Sequence, residues 1–382
     1  MDAESNLMAI SFLQPCLDQV RAQMLDDLSS TIPQLTEVYQ YYVQMHSKRL
    51  RPTLIPLMAQ ATNGLARLWS SKDPRCDCSG TEQEYLNYDV GGSALANVIL
   101  PEQLRLAAII EMVHVASLMH DDVLDESFLR RGAPSAPCRF GTKQSVLGGD
   151  FLLTRAVILS TTLGELEVIS EVAKILQTLV EGELLQAQSQ SQSQSQGSSK
   201  LKWDTQLLEP SLLTQDVATS HWDSYLDKTY RKTASLFAHA LRCAVILGGA
   251  AESDPLRKTA TEYGSQLGMA FQIIDDVLDF NGDDSIGKPI GADVELGLAT
   301  APILFALEEN EDLQPLVDRR FREPGDVQTA IQIVKATNAL ARSTALASLY
   351  AQKAHDALIS LPESPSKAAL QALAMGAVSR DH

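Results

Sequence analysis

The sequence is poor in cysteine, in basic residues and in uninterrupted apolar stretches. Its five cysteines, Cys16, Cys76, Cys78, Cys138 and Cys243, are odd in number and form no CxxC pair. That argues against a disulfide scaffold and fits a reducing compartment. Cys76 and Cys78 fall in a polar stretch with no histidine beside them, which reads as loop rather than metal site. Lys and Arg together number 31 against 48 Asp and Glu, for a formal net charge of −17. Polyanions are bound by basic surfaces, so nucleic acid is excluded as the main partner, as is broad attraction to anionic lipid. An anionic substrate is still compatible with this charge if the site recruits a divalent metal. The longest apolar region, residues 104–119, is interrupted by Glu111 and His114, so no transmembrane segment is expected. The opening MDAESNLMAISFLQPC has no basic n-region and is not Arg-rich, so neither a secretory signal nor a transit peptide is read in it. No series of alternating strands is found.

What is present is helical periodicity. Of the 382 residues, 45% are hydrophobic and 21% charged, a globular balance. Apolar residues recur at three- and four-residue intervals over 104–126, 143–163, 166–187, 222–247, 254–280 and 326–360. Pro101 opens one such run, Gly132 with Pro134 and Pro137 closes another, and Pro324-Gly325-Asp326 precedes a third. Helices of this length need partners for their apolar faces, so an all-α bundle in one domain, residues 1–382, is expected. Two segments read as mobile insertions, 70–99 and 188–220. The second begins QSQSQSQSQGSSKL, a low-complexity run without apolar anchors.

The pentapeptide Asp-Asp-Val-Leu-Asp occurs twice, at 121–125 and 275–279, each time at the end of an apolar run. Residues four apart share a helix face, so Asp121 aligns with Asp125 and Asp275 with Asp279. Ser117 and His114 lie behind the first pair, Phe271 behind the second with Gln272 beside it. Clustered carboxylates repel one another and are costly to bury. Basic side chains or a hard divalent cation would relieve them, and oxygen-only ligands favour Mg2+. Two such clusters read as a metal-mediated diphosphate clamp. Basic islands support this: Lys48, Arg49 and Arg51; Arg130 and Arg131; Lys228, Arg231 and Lys232 beside Thr233; and Lys288. Guanidinium forks and lysine point charges suit phosphate oxygens.

HDDVLDESFLRRG (120–132) and FQIIDDVLDFNGD (271–283), with SKRLRP, YLDKTYRKTASL (225–236) and GKPIGADVELGLATAP (287–302), resemble the motifs of the trans-type polyprenyl diphosphate synthases of the all-α isoprenoid synthase class. The closest pattern is that of the long-chain enzymes that make ubiquinone side chains in mitochondria. The resemblance implies a bundle of mostly antiparallel helices around a central cavity. It implies successive condensation of isopentenyl diphosphate onto an allylic diphosphate, farnesyl or geranylgeranyl, with three Mg2+ ions. Asp121, Asp122, Asp125, Asp275, Asp276 and Asp279 would hold the metals. Arg130, Lys232 and Lys288 would bind the allylic diphosphate, and Lys48, Arg51, His114 and Arg131 that of isopentenyl diphosphate. Thr233 and Gln272 would line the reaction centre.

Small residues at Ala116 and Ser117, about one turn below Asp121, would leave the tail pocket open for a long product. A homodimer, or a hetero-oligomer with a second polyprenyl synthase subunit, is implied, as are a mitochondrial location and peripheral membrane contact for product release. The family's Gly-Gly before the first basic motif reads His46-Ser47 here, and Val115 replaces a common Thr; neither change removes a charged group. Three other readings compete. A metal-dependent phosphohydrolase built on His120-Asp121 leaves the second cluster unexplained. A terpene cyclase would carry a different second metal motif. A non-catalytic subunit would have lost the Asp-rich motifs, which are intact.

Overall fold

A computed structural model describes residues 13–28, 30–45, 50–69, 72, 98–190, 218–281 and 290–380. Cys76, Cys78, Lys48, Arg49, Lys288, and most of the 70–99 and 188–220 segments lie outside the described residues. The fold is all-α. Its helices are α1 (Gln14–Asp27), α2 (Pro33–Gln44), α3 (Leu50–Thr62), α4 (Pro101–Leu124), α5 (Ala136–Phe140), α6 (Thr142–Ser160), α7 (Leu166–Gln190), α8 (Ala218–Thr229), α9 (Ser235–Leu247), α10 (Pro255–Asn281), α11 (Ala292–Glu295), α12 (Ala301–Glu309), α13 (Gln314–Asp318), α14 (Asp326–Ala336), α15 (Ala339–Ala357) and α16 (Pro365–Gly376). A single antiparallel ladder among the described residues pairs β1 (Leu129–Arg130) with β2 (Ala133–Pro134). Proline supplies the first turn of α2, α4, α10 and α16, where its missing N–H costs nothing and its fixed φ suits the helix.

The chain folds as two compact units. The first is drawn from Met1–Gln177, Leu236–Gly264 and His355–Leu373. Its core is centred on α4, where Leu104, residues 106–110, Met112, Val113, Val115, Ala116 and Met119 are buried; Leu54, Ile55, Leu57, Met58, Phe237 and Tyr263 are buried as well. α6 lies against α4 through glycines. A Cβ on Gly148 would stand 2.7 Å from Met119 Cε, and one on Gly149 2.3 Å from His120 Nε2. The two backbones approach because those side chains are absent. His120 therefore packs on Gly149, with Nε2 3.3 Å from the Val146 carbonyl. At the start of α4, Gln103 accepts a hydrogen bond from Leu100 N (2.9 Å) and donates to Asn63 Oδ1 (3.0 Å) and Ala244 O (2.9 Å). This buried amide network joins three segments that are distant in sequence.

The second unit is drawn from Thr178–Ser235, Ser265–Ala354 and Ala374–His382. Trp222, Phe280 and Phe305 centre its core, with Ile273, Leu313 and Leu346 around them. The Trp222 ring is tilted by 59° against Phe305 at a centroid distance of 4.6 Å and donates to Glu308 Oε1 at 3.1 Å.

Three differences from the sequence reading have local causes. The periodic run 326–360 is two helices, because Thr337 is extended (φ −103°, ψ 177°) and Asn338 N donates to Glu309 Oε2 at 2.9 Å. The run 222–247 is broken by a π-helical turn, Tyr230–Ala234. The segment Thr142–Leu163 is long and apolar enough for a membrane span by length and composition, although no uninterrupted 18-residue apolar run exists; 33% of its apolar 18-residue window is buried in the fold.

Glu171 gives a stability prediction. It is buried, accepts from Lys174 Nζ at 2.8 Å and pairs with His239 at 2.6 Å. Burial pushes its pKa up, but the His239 hydrogen bond and Lys174 outweigh burial and hold it down at about 2. The ionised form therefore stabilises the fold above the unfolded carboxylate range, and that stability is lost as pH falls toward 2. Glu171→Gln should lose about 2 kcal/mol at neutral pH and flatten the melting-temperature profile between about pH 5 and pH 2. Calorimetry across that range checks it.

Candidate active site

The aspartates at the end of α4 have two different settings. Asp121 and Asp125 are half-buried, whereas Asp122 is fully buried. Asp122 Oδ2 accepts from the Tyr42 hydroxyl and Oδ1 from Arg130, with Nε at 2.8 Å and a second guanidinium nitrogen close by. Burial opposes the charge on Arg130, and the Asp122 hydrogen bond and charge outweigh it, so its pKa is raised. The second aspartate of the first motif is thus committed to an ion pair in this structure.

Arg130 and Arg131 sit on the β1–β2 hairpin. Arg131 (φ 53°) and Gly132 (φ 75°) form its two-residue turn, and two consecutive positive φ values are those of a type I′ turn. Beside them Arg51 Nη1 is 2.9 Å from His114 Nε2. Desolvation, then Arg51 and the hairpin arginines, hold the His114 pKa well below its usual value. The ring is neutral at physiological pH. Because guanidinium only donates, Nε2 is the acceptor and Nδ1 carries the proton. A small solvent-open cleft adjoins the hairpin, lined by Leu17, Val20 and Met24 of α1, Glu111 and Val115 of α4, and Arg130 and Arg131. Ala116 is buried, and Ser117 Oγ donates to His114 O at 2.8 Å.

In the second unit the π-helical turn carries Arg231, Lys232 and Thr233. A Cβ on Gly182 of α7 would meet Lys232 N at 3.0 Å and Arg231 Cβ at 3.1 Å, so the widened turn rests on a glycine. π turns recur at functional sites because they re-aim side chains within a continuous helix. Lys232 Nζ is 3.1 Å from both Glu183 Oε2 and Gln186 Oε1. Arg231 pairs with Asp227 (2.9 Å) and Glu181. Thr233 Oγ1 donates to Gln272 Oε1 (2.8 Å), Gln272 Nε2 to Asp276 Oδ1 (3.0 Å), and Tyr225 OH to Asp276 Oδ2 (2.6 Å). Asp276 is buried, and desolvation together with the neighbouring Asp293 charge raises its pKa.

The other two aspartates of the second motif also have partners. Asp279 accepts from the backbone N–H of Ala292 (3.1 Å) and Asp293 (3.2 Å), satisfying the first turn of α11. Asp275 accepts from Arg380 Nη2 at 3.1 Å, and that guanidinium lies 3.7 Å from the Phe271 ring centroid.

Sequence reading selected Asp121, Asp122, Asp125, Arg51, His114, Arg130 and Arg131, which all fall in the first unit. Lys232, Thr233, Gln272, Asp275, Asp276 and Asp279 fall in the second. It missed Tyr42, Tyr225, Glu183, Gln186, Asp293 and Arg380. The polar glutamates and glutamine interrupting the apolar period of α7 were the available signal for Glu183 and Gln186. Among the described residues no three Asp, Glu, His or Cys side chains gather into a complete metal cage. Asp121 and Asp125 offer oxygen donors one helical turn apart, which fits Mg2+, an ion held by one or two carboxylates together with substrate phosphates.

The model of the polyprenyl synthetase family matches residues 32–334. The chain belongs to the polyprenyl synthetase family. It is 37% identical over 377 residues to decaprenyl-diphosphate synthase subunit 1 of Schizosaccharomyces pombe, covering 98% of this chain and 92% of that one. It is 32% identical to the human all trans-polyprenyl-diphosphate synthase PDSS1, covering 97% and 75%. The decaprenyl diphosphate synthase structure from Rhodobacter capsulatus superposes with a TM-score of 0.75 at 28% identity, covering 99% of each chain. This polyprenyl synthetase is a prenyltransferase of the Mg2+-dependent class, acting on allylic and isopentenyl diphosphates.

The Gly182 contact makes a prediction. Gly182→Ala places a methyl group against the backbone of the π turn, which must shift by a few tenths of an ångström. We expect a few-fold rise in KM for the allylic diphosphate and a loss of about 1 kcal/mol in stability. Steady-state kinetics and thermal melts on the same preparation check both.

Proposed function

We propose that this polyprenyl synthetase is the catalytic chain of a long-chain, all-trans polyprenyl diphosphate synthase whose product becomes the side chain of ubiquinone. The observation that carries this is the pair of intact Asp-Asp-Val-Leu-Asp helix ends, the first with Arg130 held against Asp122 and the second with Arg380 held against Asp275. Likeness along nearly the whole chain to a decaprenyl synthase subunit supports the long product.

Asp121, Asp125 and Asp275 would hold metal, Asp275 in exchange for Arg380; Asp276 and Asp279 would join them as their present partners are exchanged, and Asp122 would add its charge beside them while keeping Arg130 and Tyr42. Three Mg2+ ions, when bound, neutralise charge developing on the leaving allylic diphosphate. Arg130, Lys232 and Lys288 bind the same group and favour its departure. Arg51 and Arg131 hold isopentenyl diphosphate with Lys48, and neutral His114 orients Arg51 through Nε2 while Nδ1–H remains a donor. The isopentenyl double bond attacks the allylic carbon as the C–O bond breaks, and the proton lost afterwards passes to the released diphosphate. Gln272, ordered by Thr233 and Asp276, lines the reacting carbons.

The growing tail runs below Asp121 past Ala116 and Ser117, whose small side chains leave it room. The S. pombe relative is named a subunit, which supports a hetero-oligomer with a second polyprenyl synthase chain; a homodimer is the other arrangement. Mitochondrial relatives support a mitochondrial location. Product release to a membrane surface follows from the length of the tail.

Asp121→Ala and Asp275→Ala should each lower kcat by about a hundredfold or more, since each removes charge stabilisation from the departing diphosphate; near-normal turnover in both sinks the two-cluster mechanism. Ala116→Phe should shorten the product. Incubating the purified chain with farnesyl diphosphate, labelled isopentenyl diphosphate and Mg2+ reads the product ladder, and an unchanged ladder refutes the tail path.

A further inference from the structure

Two consecutive tyrosines of α2 fasten the outgoing end of the arginine hairpin, and one of them also bonds the aspartate that pairs with Arg130. Tyr42 OH donates to Asp122 Oδ2 and accepts from Ala136 N at 2.9 Å. Tyr41 OH donates to the Pro134 carbonyl at 2.7 Å, and its ring carries the Arg139 guanidinium 4.2 Å from the centroid. Neighbouring residues on a helix diverge by about 100°, so one turn of α2 can straddle the ribbon. The ribbon needs this support. It has two residues per strand, and an isolated two-stranded hairpin is marginal in water. Its turn also places a non-glycine residue, Arg131, at positive φ, a conformation that persists only where surrounding contacts enforce it.

The network ends on a functional group. Asp122, with 0% exposure, spends one oxygen on Tyr42 and the other on Arg130. Tyr42 is 3% exposed. Its hydroxyl faces a carboxylate oxygen on one side and a backbone N–H on the other, so it donates to Asp122 and accepts from Ala136. Tyr42 is too enclosed to act on substrate directly.

We propose that Tyr42, aided by Tyr41, is a positioning residue for diphosphate binding, acting through Asp122 to fix the direction of the Arg130 guanidinium. This rests on the reading that Arg130 binds the allylic diphosphate. A guanidinium already aimed loses less rotamer freedom when it binds, so the cost of its absence falls on ligand affinity. A tyrosine that served only to fill the core would instead affect melting temperature and leave affinity alone.

The test uses full-length Tyr42→Phe, Tyr41→Phe, Arg130→Lys and the Tyr42→Phe/Arg130→Lys double variant. Calorimetric titration with inorganic diphosphate at saturating Mg2+ gives affinity, and kinetics give KM for farnesyl diphosphate. Tyr42→Phe should weaken diphosphate binding by about tenfold, the scale of one charge-assisted hydrogen bond, and raise KM with little change in kcat. Tyr41→Phe should weaken it by about twofold, as its bond is more exposed. In the Arg130→Lys background the Tyr42 substitution should add almost nothing, because the two act as one unit. Wild-type affinity in Tyr42→Phe beside weakened binding in Arg130→Lys overturns the inference. Unchanged binding in Arg130→Lys overturns the assignment of Arg130 and the inference with it. If Tyr42→Phe does not fold, Tyr41→Phe decides: reduced affinity supports the clamp and wild-type affinity refutes it.

Discussion

Asp122 lies where water does not reach, and the end of α4 is organised around compensating it. A buried carboxylate is tolerable only with an opposite charge and hydrogen bonds on both oxygens. Arg130 supplies the charge and one set of hydrogen bonds, and Tyr42 supplies the other. That single requirement brings α2, α4 and the β1–β2 hairpin together. Asp121 and Asp125 lie one turn apart and are only half-buried.

The second unit meets the same problem with neutral hydrogen-bond partners and the nearby charge of Lys228. Asp276 is buried beside Tyr225 and Gln272, without the close guanidinium that Asp122 has. Desolvation accordingly raises its pKa. The final aspartates diverge as well: Asp125 follows the last turn of α4, while Asp279 accepts two backbone N–H groups at the start of α11. Two identical pentapeptides therefore occupy two distinct electrostatic environments. Equal spacing in sequence is no guarantee of equal chemistry in space.

Much of this was legible beforehand. The all-α class followed from apolar period, and the two aspartate helix ends followed from the repeat and its i, i+4 geometry. The basic islands near them were visible because basic residues are scarce. What stayed hidden depends on long-range contacts. No local pattern brings Tyr42 to Asp122, 80 residues away, or Arg380 to Asp275, 105 residues away. The hairpin is too short to show a strand period. The break at Thr337 left the apolar spacing intact, because the backbone turns while Glu309 receives the Asn338 N–H.

The π turn at Tyr230–Ala234 has a consequence for helix phase. An α-helix advances about 100° per residue, and a π turn inserts close to one extra residue into a turn. Side chains before it and after it are therefore on different clocks. The offset lets Tyr225 reach Asp276 and Thr233 reach Gln272 from one nearly continuous rod. Tightening the turn to ideal helix at constant residue count would rotate every downstream side chain by about a quarter turn relative to those upstream, whereas deleting one residue as well would leave them nearly in phase. The segment acts as a phase compensator: its extra residue is absorbed locally, and the faces beyond it keep their direction.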